Sequence, residues 1–313
     1  MSNRAGARER VHAYPDRHCP LPVRRAEEGL GLGPDALLRA GLRQRLKAIG
    51  IETGEPVNAD LPDGEREDDK LAINIGKLGG DAAAKIAAAV ETTSPVLVLA
   101  GDDTAAIGVI SGLQQAFGAD ARIGLVWLDA HADFNTPETS VSGILAGMPV
   151  AIIAGLAGPL WREAAQLRAP LATDQILIAG VRDVDEKEEI LLRSTDVRVL
   201  TTSEVRKSAA FENAIDRFAM HVDIIAIHVD LDLLDPSLVP SASTPAPDGL
   251  TIRQATRLIT YVLGTGKAAV LTVTSLNPGA GDRGTRSVQS ALSLLENTLG
   301  SWTSIGGRPD ADA

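Results

Sequence analysis

Six short runs of almost unbroken aliphatic residues, at 96–99, 124–128, 175–178, 197–200, 224–229 and 268–273, constrain this chain more than any other feature. A strand covered on one face alternates apolar with polar residues. A run that is apolar at nearly every position belongs to a strand covered on both faces, as in a parallel sheet. Between these runs, apolar residues recur at helical spacing around 35–49, 80–90, 105–117, 187–192, 211–221, 251–263 and 286–299. Thr251, and Ser203 with Val205 two residues on, are the expected helix caps. The β-α-β-α rhythm predicts an α/β fold, three layers deep (α/β/α), with a mostly parallel central sheet. One domain spanning 1–313 is expected, since neither an internal repeat nor a long linker divides the chain. Residues 1–30, rich in Arg and Pro, read as an irregular arm, 54–70 as an acidic surface loop and 306–313 as a disordered tail.

In such folds the chemistry gathers at the carboxyl ends of the strands. Three runs end in acidic groups. The run 96–99 is followed by Asp102-Asp103-Thr104, the run 124–128 by Asp129-Ala130-His131-Ala132-Asp133-Phe134-Asn135, and the run 224–229 by Asp230-Leu231-Asp232. In extended chain, residues i and i+2 point the same way, so Asp129 with His131, and Asp230 with Asp232, can converge. Asp102–Asp103 alone would be an ordinary turn, and a lone Asp-x-Asp also occurs in glycosyltransferases and phosphatases. The three together are different, because that many carboxylates buried without cations would repel one another or become protonated. Oxygen and imidazole donors without sulfur suit Mn²⁺ or a similarly hard divalent ion.

Composition narrows the partners. A formal net charge of −11 argues against nucleic acid or an anionic membrane surface, both of which need a basic footprint. Cys19 is the only cysteine, which excludes an intrachain disulfide and a cysteine-based zinc site. No apolar leader or eighteen-residue apolar run is present, so the cytoplasm is the expected location and no membrane span is expected.

The segment Asp129-Ala130-His131-Ala132-Asp133-Phe134-Asn135 resembles a signature of the arginase/agmatinase (ureohydrolase) family, and Asp230-Leu231-Asp232-Leu233-Leu234-Asp235-Pro236 resembles its second. Thr244-Pro245 through Gly249-Leu250-Thr251 and Gly180-Val181-Arg182-Asp183-Val184-Asp185 are similar to further family segments, so that the likeness covers about 28–299. The resemblance implies an arginase-like fold and a dinuclear Mn²⁺ hydrolase cutting a C–N bond of a linear amidine or guanidino amino acid. Asp129 and Asp230 would bridge the ions, Asp133 would complete one site, and His131 and Asp232 the other. A water shared by the ions would be the nucleophile, and Asp133 would pass a proton to the leaving nitrogen. Asn135, Ser140 and Ser142 match positions that hold the substrate α-carboxylate, Asp185 one that contacts the α-amino group, and Thr244 lies in a substrate-facing segment. A small-molecule substrate and a trimeric or hexameric homo-oligomer are also implied.

Three positions depart from the family pattern. Asp103 stands where a histidine ligand is usual, adding a fifth carboxylate to Asp129, Asp133, Asp230 and Asp232. Ala146 stands where arginases carry a proton-shuttling histidine. Ser275 stands where a glutamate usually holds the guanidinium. The last two changes point to a substrate other than unmodified arginine, and the loop Asp133-Phe134-Asn135-Thr136-Pro137-Glu138-Thr139-Ser140 resembles a branch that includes an N-hydroxyarginine hydrolase. Two alternatives stay open: a catalytically weak metal-binding protein on a retained scaffold, and a single-metal amide hydrolase of deacetylase type. His228, two residues before Asp230, faces either a ligand carboxylate or a backbone partner in the core. His221 suits the dipole of the helix it ends.

Overall fold

The computed structural model describes residues 19–21, 29–90, 95–118 and 120–302. Seven strands form one sheet: β1 Cys19–Leu21, β2 Val96–Ala100, β3 Ile123–Leu128, β4 Ile176–Val181, β5 Arg198–Thr201, β6 Ile224–Asp230 and β7 Ala268–Thr274. Their order is β1-β2-β7-β6-β3-β4-β5, and every pairing is parallel.

Strand periodicity explains the apolar runs. Val96, Val98, Ile123, Leu125 and Trp127 enter one apolar cluster, while Leu97, Leu99, Val126 and Leu128 enter a second on the other face. Helices Leu71–Val90 and Ala105–Phe117 pack on the first face; Ile252–Leu263 and Asp282–Leu299 pack on the second. The three-layer α/β/α arrangement expected from the rhythm of the chain is the arrangement found.

Several local expectations change. Residues Cys19–Leu21, inside the stretch read as an irregular arm, pair with β2 as an edge strand. Three residues bounded by polar and proline-rich chain carry too little periodicity to be read. The rest of 1–28 and the tail 306–313 lie outside the described residues. The helix expected at 35–49 is two, Gly33–Arg39 and Leu42–Ala48, parted at Gly41, whose φ of 90° leaves the helical region. Thr251 caps its helix in a reciprocal pair with Gln254, as expected. At the other site the cap is Thr201 rather than Ser203, because Thr201 has Glu204 three residues on to complete the same pair.

An all-parallel sheet presents all its carboxyl ends along one edge. β2 and β3 follow each other in the chain, yet β7 and β6 lie between them in the sheet. The connection direction therefore reverses there, opening a crevice above the central strands, the place where ligands bind in doubly wound sheets. Gly180, at the end of β4, has φ 104°, and a Cβ there would lie 2.8 Å from the carbonyl oxygen of Asp129. Only glycine lets β4 approach the end of β3 so closely.

Candidate metal centre

Four adjacent strand ends, those of β2, β7, β6 and β3, converge on a buried acidic group. Asp103, Asp129, Asp133, Asp230 and Asp232 are between 0% and 8% exposed, so solvent does little to separate their charges. Two sets of donor atoms lie within 4.8 Å of one another: Asp129 with His131 and Asp232, and Asp103 with Asp129 and Asp133. Asp129 belongs to both. Asp230 joins neither set; its Oδ1 accepts the amide of Asp232 at 2.6 Å and its Oδ2 accepts the hydroxyl of Ser275.

Four of the five carboxylates, those of Asp103, Asp129, Asp230 and Asp232, are oriented by nearby donors. Asp129 accepts the His131 amide at 2.7 Å on Oδ1 and the Trp127 indole N–H at 2.9 Å on Oδ2. Asp232 accepts the Ala130 amide and the Thr244 hydroxyl, each at 3.2 Å, and its Oδ2 lies 3.1 Å from His131 Nδ1. Asp133 is placed differently. Its backbone adopts φ 48°, a left-handed conformation that Asp tolerates better than most side chains, and its carbonyl accepts the amide of Val150.

The electrostatics show what this group lacks. Burial, followed by the charges of Asp129, Asp103 and Asp230, raises Asp133 well above the ordinary carboxylate range. Burial and the charges of Asp232, Asp103 and Asp129 do the same to Asp230. Burial and Asp129 raise Asp232 to about 6. At His131 burial works against the proton, but hydrogen bonds and charge from Asp129 and Asp232 outweigh it and raise the imidazole to about 11. The metal-free site therefore collects protons where positive charge is needed. This donor set, rich in hard oxygens and closely spaced, fits two divalent cations.

The positions expected to hold an amino-acid substrate lie along the rim. Asn135 is buried; its Oδ1 accepts the Thr139 hydroxyl at 2.9 Å, and its Nδ2 lies 3.5 Å from Asp185 Oδ2. Ser140 and Ser142 accept the amides of Gly143 and Ile144 at 2.9 and 3.2 Å, which leaves their hydroxyl hydrogens free to donate outward. Thr244 is exposed and turned onto Asp232. Ser275 is the surprise. It is 1% exposed, has φ 65°, and donates to Asp230 rather than standing at the rim. Ala146, half-buried in the loop, carries no group that could move a proton.

Four residues with no role expected from the sequence brace this site. Glu188 is 3% exposed and accepts the amides of Phe134 at 2.7 Å and Asp185 at 3.3 Å, joining the metal loop to the helix that follows β4. Burial raises it to about 7, against the opposing effect of those two amides. Asp185 and Glu188 have the spacing of a helix-capping pair, a signal that was available in the sequence. Arg182 bonds the carbonyls of Asp232, Ala246 and Pro247, fastening the β6 loop to β4. Trp127 donates to Asp129 two residues on along its own strand, and Thr274 donates to Asp103 across the sheet; neither residue type marks that role in the sequence. His228, left between two readings, bonds Asp103, and His221 bonds the carbonyl of Arg217 at the end of its own helix.

Comparison with known proteins finds relatives along most of the chain. Residues 20–300 match the family described as Arginase family. The chain is 32% identical over 248 residues to an arginase of Bacillus caldovelox, covering 75% of this chain and 81% of that protein. The structure of arginase from Bacillus subtilis superposes with a TM-score of 0.74 at 27% identity, covering 91% of this chain and 95% of that one. The agmatine ureohydrolase of Thermoplasma volcanium, at 20% identity and a TM-score of 0.59, shares the fold.

Proposed function

This chain belongs to the arginase family, and from that premise we propose that it hydrolyses a C–N bond in the linear amidine group of an amino acid, with N-hydroxyarginine or a similarly weakly basic amidine preferred over arginine. The observation that carries the reading is the sharing of Asp129 by two sets of ligand atoms, which suits a dinuclear centre and exceeds what a single-metal amide hydrolase needs. One ion would be held by Asp103, Asp129 and Asp133, the other by Asp129, His131 and Asp232, with Asp230 joining both by a turn of its side chain, and Mn²⁺ suits the donors. When bound, the two ions neutralise the carboxylates and acidify water, so that a nucleophile exists at neutral pH.

The chain's own residues do the rest. Asp133, buried and aimed by its left-handed backbone, takes a proton from the attacking water and delivers it to the leaving nitrogen as the C–N bond breaks. The products are an amine and urea, or hydroxyurea from an N-hydroxyguanidine. Asn135, Ser140 and Ser142 bind the carboxylate of the substrate, and Asp185 its ammonium group, fixing the distance from the amino-acid end to the reacting carbon. Ser275 places a neutral hydroxyl near the reacting end. With its hydrogen given to Asp230 it can accept a hydrogen bond from the substrate but cannot neutralise a guanidinium, which disfavours arginine.

The test is a screen of Mn²⁺-loaded protein against arginine, N-hydroxyarginine, agmatine, guanidino acids and formiminoglutamate, following urea, hydroxyurea and amine release. Turnover of N-hydroxyarginine above arginine supports the proposal. Two tightly bound ions with no turnover of any of these substrates would favour a metal-binding protein that has lost its chemistry, the reading to which Ala146 and Ser275 lend weight.

A further inference from the structure

His228 lies on β6, on the same face as Asp230, and is 1% exposed. Its register partners are Trp127 on β3 and Thr272 on β7. The rings of Trp127 and His228 stack with centroids 3.7 Å apart and planes within 3°. Each ring delivers one N–H to a carboxylate from a different loop. Trp127 Nε1 donates to Asp129 Oδ2, and His228 Nε2 donates to Asp103 Oδ1 at 2.9 Å. Thr274 of β7 donates to the same Asp103 oxygen at 2.6 Å. Among the described residues, Oδ2 of Asp103 has only a long 3.4 Å contact with the Ser275 hydroxyl.

We infer that His228 is a positioning residue for the metal centre: with Thr274 it occupies Oδ1 of Asp103 and leaves Oδ2 to face a divalent cation. The inference rests on the reading above that Asp103 is a ligand. An imidazole ligand offers one lone pair in a fixed direction. A carboxylate offers two equivalent oxygens and can rotate or chelate, so in the same place it needs an outside constraint. The stacked pair supplies one, because His228 cannot tilt without leaving Trp127. Nor is His228 a core histidine satisfied by the backbone. Its Nε2 bonds side chains, and its Nδ1 is buried without a partner among the described residues. Donation to a carboxylate requires hydrogen on Nε2, which in the neutral ring leaves Nδ1 bare.

Mn²⁺ titration by calorimetry and electron paramagnetic resonance tests this. His228→Phe keeps a flat ring against Trp127 but removes the donor. It should weaken one of the two Mn²⁺ sites by about 10–100-fold and leave the other within about threefold, with the spin coupling between the ions altered. His228→Gln, which can place an N–H near the position of Nε2, should recover most of the loss. Native affinity for both ions in His228→Phe overturns the inference. Should that variant fail to fold, ¹⁵N-histidine NMR of the native metal-free protein decides: a protonated Nε2 and bare Nδ1 on His228 are expected, and the opposite tautomer overturns it. Asp103→Ala separates the two readings. If it keeps both ions at native affinity, Asp103 is no ligand and both readings fall; if it loses one while His228→Phe loses none, only the role of His228 falls.

Discussion

The two ends of the candidate site are made of different material. The proposed metal end stands at the ends of β2, β3, β6 and β7; its carboxylates are almost wholly buried, Asp129 takes a donor from its own strand, and neighbouring strands supply donors to Asp103 and Asp230. The proposed amino-acid end stands on the loop 135–147, where Val141 is 81% exposed and, among the described residues, Ser140 and Ser142 bond their own neighbours. Chemistry that depends on the spacing of charges is set in the sheet. On the proposed function, recognition of a flexible substrate falls to a segment that can vary without disturbing the sheet.

The strongest way to break that contrast is Asp129→Ala. Because Asp129 serves both sets of ligands, both ions should be lost and kcat/KM should fall by about a thousandfold or more. Metal analysis and kinetics check this, and full occupancy with two ions in the variant would contradict the shared role. A change confined to the rim should never remove metal.

Glu188 joins the two ends, and its titration should show in stability. Its folded-state value, about 7, is raised above the ordinary 4.5. Its contribution is therefore fully present below about pH 4.5 and is lost as pH rises through 7. In chelator-treated protein, urea unfolding of the native chain should lose about 3 kcal/mol relative to Glu188→Gln between pH 4.5 and 8. Parallel pH profiles for the two proteins would show that Glu188 stays ionised in the fold.

Specificity should respond less. Charge-assisted hydrogen bonds to a cation contribute about 1.5–3 kcal/mol, against roughly 0.5–1.5 for neutral ones. N-hydroxyarginine should therefore exceed arginine in kcat/KM by about tenfold, and Ser275→Glu should narrow that ratio. The contacts of Ser275 with Asp230 and Asp103 mean that this variant also brings a further carboxylate beside the metal end. The ratio of the two substrates, rather than either rate, is the measurement that reads specificity; an unchanged ratio would remove Ser275 from substrate choice. The smallest effect belongs to the rim. Ser142→Ala should raise KM by about threefold with kcat and metal content unchanged, the loss of one exposed hydrogen bond.

Much of the sheet could be read directly from the chain. The six apolar runs are strands within a residue or two, except at β4, which runs on to Val181. The acidic groups at three of their ends meet because all the strands run the same way. What could not be read shares one property: it depends on a neighbour distant in sequence. β1 is three residues long and exists because β2 offers an open edge. The partner of His228 is Asp103, 125 positions away. The hydroxyl of Ser275 turns to Asp230 because the backbone bends to φ 65° just after β7.

Sequence alone determined the layer architecture, the carboxyl edge as the place of the chemistry, and the kind of donors gathered there. Each follows from periodicity or from residue type at a strand end, which are local properties. Tertiary structure decided which oxygen of each carboxylate is engaged, that Asp129 is held in common, and that a stacked Trp127–His228 pair feeds two of the ligands. Those outcomes are set by strand order and register. β3 and β6 lie side by side although about a hundred residues separate them, and only the packing of the whole sheet selects that neighbour.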